Sequence, residues 1–317
     1  MIWLVCAVVL LVVTYYFLDF FLRSFKVGHF EEKYVLITGC DSGFGQALAG
    51  HLDSLGFHVF AGCLTHVGRE YLAKNCSKRL VTVLLDVSKT ESVEAALELV
   101  KRTLPEDKGL WGLVNNAGIL GNPSIIELCS KDDFLKVLGV NLIGMTEMNR
   151  CFLPLVRKSR GRVVNTSSIA GRLAAGSMPY TVSKYGVEAY SDLLRRELKN
   201  RGVKVAIIEP GTFKTSLADF ERIKQTVKTA FDERANDDIK QAYGDILGNG
   251  EHHTEFFKPT PIISSNINLV VDAYTHALTS RYPRTRYTVG PDAKFILIPM
   301  SYLPTWLTDR ILSLQYN

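Results

Sequence analysis

The chain has 317 residues, 47% of them hydrophobic, with 37 Lys and Arg against 32 Asp and Glu, a net charge of +5. That length holds one large domain whose core needs no disulfide or metal staple. The basic residues are scattered with no run interleaved with aromatics, which excludes a nucleic-acid surface, and the six cysteines show no CxxC or Cys/His grouping at zinc spacing, so no metal is expected.

Residues 1–26, "MIWLVCAVVLLVVTYYFLDFFLRSFK", carry no charge from Ile2 to Leu18. This is the length of a membrane-spanning helix, and it lacks the basic start, the short core and the small-x-small site of a cleaved signal. A membrane anchor over 1–26 is therefore expected. Arg23 and Lys26 favour a cytosolic domain, whereas Glu31 and Glu32 follow at once, so the side of the membrane stays open.

From Lys33 onwards short apolar strands alternate with amphipathic stretches: "KYVLITG", "FHVFAGC", "LVTVLLDV", "GLWGLVNNAG", "GRVVNTSS" and "VKVAIIEPG". Continuous β-branched runs suit strands buried on both faces, and the helical stretches supply crossovers. The expected fold is α/β, a Rossmann-type doubly wound parallel sheet in a single domain over 33–292. Between Thr212 and Ile262 the alternation fails in charged stretches such as "DERANDDIK". Residues 213–262 are expected to form a mobile substrate lid, with Phe213 and Phe220 touching the substrate. His252 and His253 have no partner at ligand spacing. A last strand, "TRYTVG", precedes an apolar tail over 293–317 that is expected to lie on the membrane.

The first strand runs into "TGCDSGFG", where Gly39, Gly43 and Gly45, with Ser42 and Phe44 between them, open a helix. Glycines there let the backbone approach a pyrophosphate at a helix N-terminus. Asp86 ends the third strand, where its carboxylate can accept from an adenine amino group, and "NNAG" (Asn115, Asn116, Ala117, Gly118) ends the fourth. Ser168 ends the fifth, and Tyr180 and Lys184 stand one helical turn apart in "MPYTVSK". Alternation along "VVNTSS" puts Ser167 and Ser168 on opposite faces and favours Ser168 as the residue facing the site.

These blocks together resemble the short-chain dehydrogenase/reductase family, with tight motifs from Lys33 to Thr215. The resemblance implies that Tyr180 is the general acid/base, that Lys184 lowers its pKa and holds the nicotinamide ribose, and that Ser168 binds the substrate oxygen. Asn141 in "GVNLIG" would complete a proton relay. Gly39, Ser42, Gly43, Phe44, Gly45, Asp86, Asn115, Ala117 and Gly118 would bind the dinucleotide, with Pro210, Gly211 and Thr215 at the nicotinamide amide. The chemistry is coherent in itself: removing hydride from a carbinol needs a base near neutral pH, and tyrosine, near 10 when free, needs a neighbouring cation to serve.

The anchor and the wording of "TGCDSGFG", "SKYGVEAYSDLLRREL" and "HALTSRYPRTRYTVGPDAK" narrow the resemblance to the microsomal retinol dehydrogenase group, which includes membrane-bound 3α- and 17β-hydroxysteroid dehydrogenases. A lipophilic alcohol, an endoplasmic reticulum membrane and membrane lipid as partner are what that group implies, and it also admits a homodimer. Cysteine, leucine and threonine (Cys63, Leu64, Thr65) end the second strand, so no Arg or Lys awaits a 2′-phosphate. NAD is expected rather than NADP. The acidic residue usual at that strand end is also missing, and Arg69 lies within reach from the next turn. An NADPH-dependent reductase and a catalytically inactive, lipid- or partner-binding relative are the alternatives.

Overall fold

The computed structural model describes residues 2–248 and 263–313 of the chain. His252, His253, Phe256 and Phe257 lie outside the described residues. Seven strands, β1 (Tyr34–Thr38), β2 (His58–Cys63), β3 (Leu80–Leu84), β4 (Leu110–Asn115), β5 (Arg162–Thr166), β6 (Lys204–Pro210) and β7 (Arg286–Val289), make one parallel sheet in the order β3-β2-β1-β4-β5-β6-β7. The order reverses between β1 and β4, which opens a crevice at the carboxyl ends of these strands.

Strands β1 to β4 are largely apolar because helices cover both faces. Val35 and Ile37 of β1 point to one side and join Leu48, Leu52 and Tyr274. These come from α2 (Gly43–Ser54) and from α10 (Asn268–Thr279). Leu36 points the other way, into a layer with Val93, Phe152 and Leu194. That layer is supplied by α4 (Thr90–Thr103), α6 (Met145–Lys158) and α7 (Met178–Leu198). Val35, Leu36 and Ile37 are all fully buried, and burial of each such side chain contributes about 1.5–3 kcal/mol. Between β2 and β3 runs α3 (His66–Asn75), while α5 (Lys131–Leu138) leads through a π-helical turn at Gly139–Gly144 into α6. Three further helices, α8 (Phe220–Arg234), α9 (Asp237–Leu247) and α12 (Thr305–Ser313), and the short turn α11 (Ile298–Met300) lie outside the two layers.

The segment expected as a loop after β6 is therefore largely helical as far as it is described. Ile223, Val227, Ala230 and Phe231 recur at helical spacing on α8 and are buried. Two of them, Val227 and Phe231, form a small separate core with Leu128, Ile239 and Leu247. Arg234 fastens the end of α8 by donating to the Leu128 carbonyl at 2.8 Å and pairing with Asp133. Charges on the outer face of α8 masked this period in the sequence.

The N-terminal helix α1 (Ile2–Ser24) projects from the sheet domain. Its stretch Cys6–Ser24 has a mean hydropathy of 1.9 with none of it buried.

Candidate active site

A cavity of about 870 Å³ occupies the crevice at the strand ends. It brings together most of the residues singled out in the sequence. Gly39, Ser42, Gly43, Phe44, Asp86, Ala117, Gly118, Ser168, Tyr180, Lys184, Pro210, Gly211, Phe213 and Thr215 all line it. Gly45, Asn115, Asn141 and Phe220 do not, and each has a physical reason.

Gly39 has φ 71, and a Cβ on it would stand 2.7 Å from the Ala117 Cα. The phosphate-side loop and the "NNAG" turn touch here, so any side chain would pry β1 from β4. Gly45 serves packing rather than contact: a Cβ there would run into the Gly39 carbonyl oxygen and the Asn116 amide. Across the mouth of the cleft the Ser42 and Ser216 hydroxyls lie 3.0 Å apart, joining the glycine loop to the segment after β6.

The two asparagines of "NNAG" divide between sheet and site. Asn115 is still in the pleat of β4, and its amide donates to Asn149 Oδ1 at 3.1 Å and Asn165 Oδ1 at 2.8 Å, inside the protein. Asn116 points the other way and donates to the carbonyls of Thr38 (2.9 Å) and Gly39 (3.1 Å). Strand alternation, the argument that separates Ser167 from Ser168, assigns this as well. Asn115, expected at the dinucleotide, thus has its side chain inside the sheet and off the cavity wall, which Asn116 lines instead.

Behind Asn116 stands a residue with no local signal in the sequence. Tyr274 of α10 is fully buried, and its hydroxyl donates to Asn116 Oδ1 at 3.2 Å and lies 2.6 Å from the Thr166 hydroxyl. In "VVDAYTHAL" it reads as one more core position. The Thr166 carbonyl in turn accepts from Lys184 Nζ at 2.8 Å. One chain of bonds thus links the glycine loop to the lysine.

On α7 the i, i+4 spacing puts Tyr180 and Lys184 together, with the ammonium 5.4 Å from the centre of the phenol ring. Pro179 sits in the first turn of this helix, where its missing N–H costs nothing. Burial pulls the Lys184 ammonium down to about 8, with the Glu188 carboxylate opposing. Burial pushes the Tyr180 phenol up to about 12, against a hydrogen bond from Ser168. The ammonium is held by a main-chain oxygen rather than by the phenol. Ser168 caps the short turn Ile169–Gly171, its hydroxyl accepting from Ala170 N at 3.2 Å. Ser167 points away and donates to the Lys184 carbonyl at 3.4 Å.

Asn141 lies behind the cavity wall, 2% exposed, in the π-helical turn. Its amide donates to the Ile119 carbonyl (3.0 Å) and the Ser183 hydroxyl (3.0 Å) and accepts from Ile119 N (2.8 Å). Its side chain therefore fixes the "NNAG" turn against α7. Phe213 is 3% exposed and packs edge-on against Phe44, ring centres 5.6 Å apart. It is a core wedge under the glycine loop. Phe220, in the first turn of α8, lies off the cavity wall, which Ile223, Thr226 and Ala230 of the same helix reach instead.

The end of β2 holds the other unexpected feature. Asp41, from the glycine loop, accepts from Leu64 N at 2.7 Å, Thr65 N at 2.9 Å and the Thr65 hydroxyl at 2.6 Å. A carboxylate missing from β2 in the sequence is delivered there from a different segment. Arg69 lies off the cavity wall.

The family model described as short chain dehydrogenase matches residues 33–226. The chain is 49% identical over 312 residues to 17-beta-hydroxysteroid dehydrogenase type 6 of Bos taurus, covering 98% of this chain and 96% of that one. It is 50% identical over 295 residues to retinol dehydrogenase 7 of Rattus norvegicus, covering 92% of each. Among solved structures, a short-chain dehydrogenase from Streptomyces avermitilis shares the fold with a TM-score of 0.67 at 22% identity, over 90% of this chain and 96% of that one. A parallel sheet with its switch point at the glycine loop, a Ser–Tyr–Lys group on one cavity wall and relatives at this identity lead to one conclusion: the chain belongs to the short chain dehydrogenase family of nicotinamide-dependent oxidoreductases.

Proposed function

We propose that this chain oxidises the hydroxyl of a lipophilic alcohol, a retinoid or a hydroxysteroid, to the carbonyl, passing the hydride to NAD, while held at the endoplasmic reticulum membrane by α1. The observation that carries the reading is the placement of Ser168, Tyr180 and Lys184 on the wall of the same cavity as the glycine loop, with apolar side chains such as Leu173, Leu217 and Ile223 around them. A bound oxidised nicotinamide supplies the hydride acceptor and a positive charge beside the phenol. In this reading Ser168 and Tyr180 hold the alcohol oxygen, and Tyr180, ionised to the phenolate, takes the alcohol proton and returns to the neutral phenol as the hydride leaves. Lys184, seated on Thr166, stabilises that anion by charge and meets the nicotinamide ribose.

Asp41 supports NAD over NADP. In this fold the adenosine ribose comes to the end of β2, where Asp41 spends three hydrogen bonds on Leu64 and Thr65. A carboxylate offers about four acceptor positions, so one remains for a ribose hydroxyl. A 2′-phosphate would meet like charge. Replacing Asp41→Ser should narrow the preference for NAD by at least about ten-fold, a loss of about 1.4 kcal/mol of discrimination.

Turnover by membranes holding the full chain, with all-trans-retinol, 11-cis-retinol, and androsterone-like and estradiol-like alcohols, each with NAD and NADP, tests the whole reading. Oxidation of one class with NAD is expected. Faster reduction of the carbonyl forms with NADPH would replace it with a reductase. No turnover in any combination would leave a binding protein on a dehydrogenase scaffold.

A further inference from the structure

The anchor helix is fixed to the domain. Ser280 Oγ donates to the Arg23 carbonyl (2.9 Å), Arg23 donates to the Tyr282 carbonyl (2.9 Å), and Arg281 N donates to the Phe25 carbonyl (2.6 Å). Arg284 and Arg23 both pair with Asp19, the first charged residue of the helix. The level at which α1 passes from apolar to polar is thereby set relative to the sheet domain. At that level a second groove, also about 870 Å³, opens between the end of α1, α10, β7 and the turn at Ala293–Leu297.

Its charges do not balance. Arg23 and Arg284 share Asp19, and Arg286 is engaged by Glu188, Asp192 and Glu209. Lys26 and Lys294 are exposed on the groove wall, and among the described residues their ammonium groups have no hydrogen-bond or ion-pair partner. Asp272 is the one carboxylate among the described residues of the wall. The rim on the anchor side is apolar: Phe20 is 73% exposed and Phe295 78%. Two unspent ammonium groups at the foot of an apolar helix, beside exposed aromatic rings, match a phosphodiester whose hydrocarbon runs back along the helix.

We propose that this groove binds the headgroup of an anionic phospholipid, with Lys26 and Lys294 on the phosphate and its acyl chains along Phe20 and Phe295. The proposal rests on the reading of α1 as a bilayer-spanning helix. Alkaline carbonate extraction tests that reading by itself, so the two failures are distinguishable.

Full-length protein in non-ionic detergent micelles is titrated with short-chain phosphatidylserine, short-chain phosphatidylcholine or inorganic phosphate while its thermal unfolding midpoint is followed. Phosphatidylserine should raise the midpoint at lower concentration than phosphatidylcholine, and phosphate alone should not. In the double variant Lys26→Gln/Lys294→Gln the apparent affinity for phosphatidylserine should fall by about ten- to thirty-fold, as expected for two lysines near a lipid surface. A distant pair, Lys74→Gln/Lys78→Gln, makes the same change in net charge and should leave it unaltered. Lys26→Arg/Lys294→Arg, which keeps the charge, should retain the response if the glutamine variant folds poorly. Equal responses to both lipids, an unaltered response in the glutamine variant, or a full response to phosphate alone would each overturn the proposal.

Discussion

Tyr180 and Lys184 are one turn apart, and burial acts on them in opposite senses: it drives the phenol up to about 12 and the ammonium down to about 8. As the proposed catalytic pair they therefore depend on charges brought to them. Tyr180→Phe keeps the ring and removes the oxygen, so kcat should fall about 10²–10⁴-fold while the Kd for dinucleotide stays nearly constant. Retention of a tenth or more of the activity would assign the base to another residue. Lys184 also marks stability. Its folded pKa of about 8 lies below the ordinary 10.5, so below pH 8 both states are protonated and the folded state bears the full cost of the buried charge. Between 8 and 10.5 the unfolded chain binds more protons, and stability rises with pH. Lys184→Met should accordingly be more stable than the parent at pH 7, by up to roughly 3 kcal/mol, with the advantage shrinking towards pH 10. Unfolding midpoints of both proteins across that range decide it, and a gap that does not close with pH would refute the assignment.

Elements after β6 divide the work that the sequence assigned to a loop. Phe213 holds Phe44 and the glycine loop, whereas α8 supplies the cavity wall through Ile223, Thr226 and Ala230. Phe213→Ala should thus cost about 3–5 kcal/mol of stability and weaken dinucleotide binding. Ala230→Phe, on the cavity wall, should raise KM for the bulkier alcohols and leave the Kd for NAD unchanged. Thermal unfolding together with KM and Kd separates the two. An undiminished midpoint for Phe213→Ala, or a changed NAD affinity for Ala230→Phe, would reverse this division.

Among the described residues, large apolar side chains are exposed along the N-terminal helix and in the C-terminal region, where Phe295 is 78%, Tyr302 73% and Trp306 69% exposed. Aromatic rings of this kind suit a membrane–water interface. Deletion of residues 1–26 should release the domain from alkaline-washed membranes and leave it prone to aggregate through that C-terminal surface, which size-exclusion chromatography reads directly. Extraction of the intact protein by alkaline carbonate would show that α1 does not span the bilayer.

Local patterns determined much of this protein. Strand runs bounded by glycine, the spacing of the glycine loop, the i, i+4 pair on α7 and the apolar N-terminus each act within a few residues, so the parallel sheet and the glycine-loop and Ser–Tyr–Lys parts of the cavity wall were legible from them. Tertiary structure decided what depends on segments far apart in the chain. It turned Asn115 into the sheet and Asn116 towards the site, brought Asp41 to the end of β2, set Tyr274 under the strand ends from 158 residues beyond Asn116, and buried Phe213 as a wedge. A periodicity states which face of an element is apolar, but not which residue of another element will meet it. Hydrogen bonds such as Tyr274 to Asn116 exist only once α10 has packed against α2 and across β5, β6 and β7.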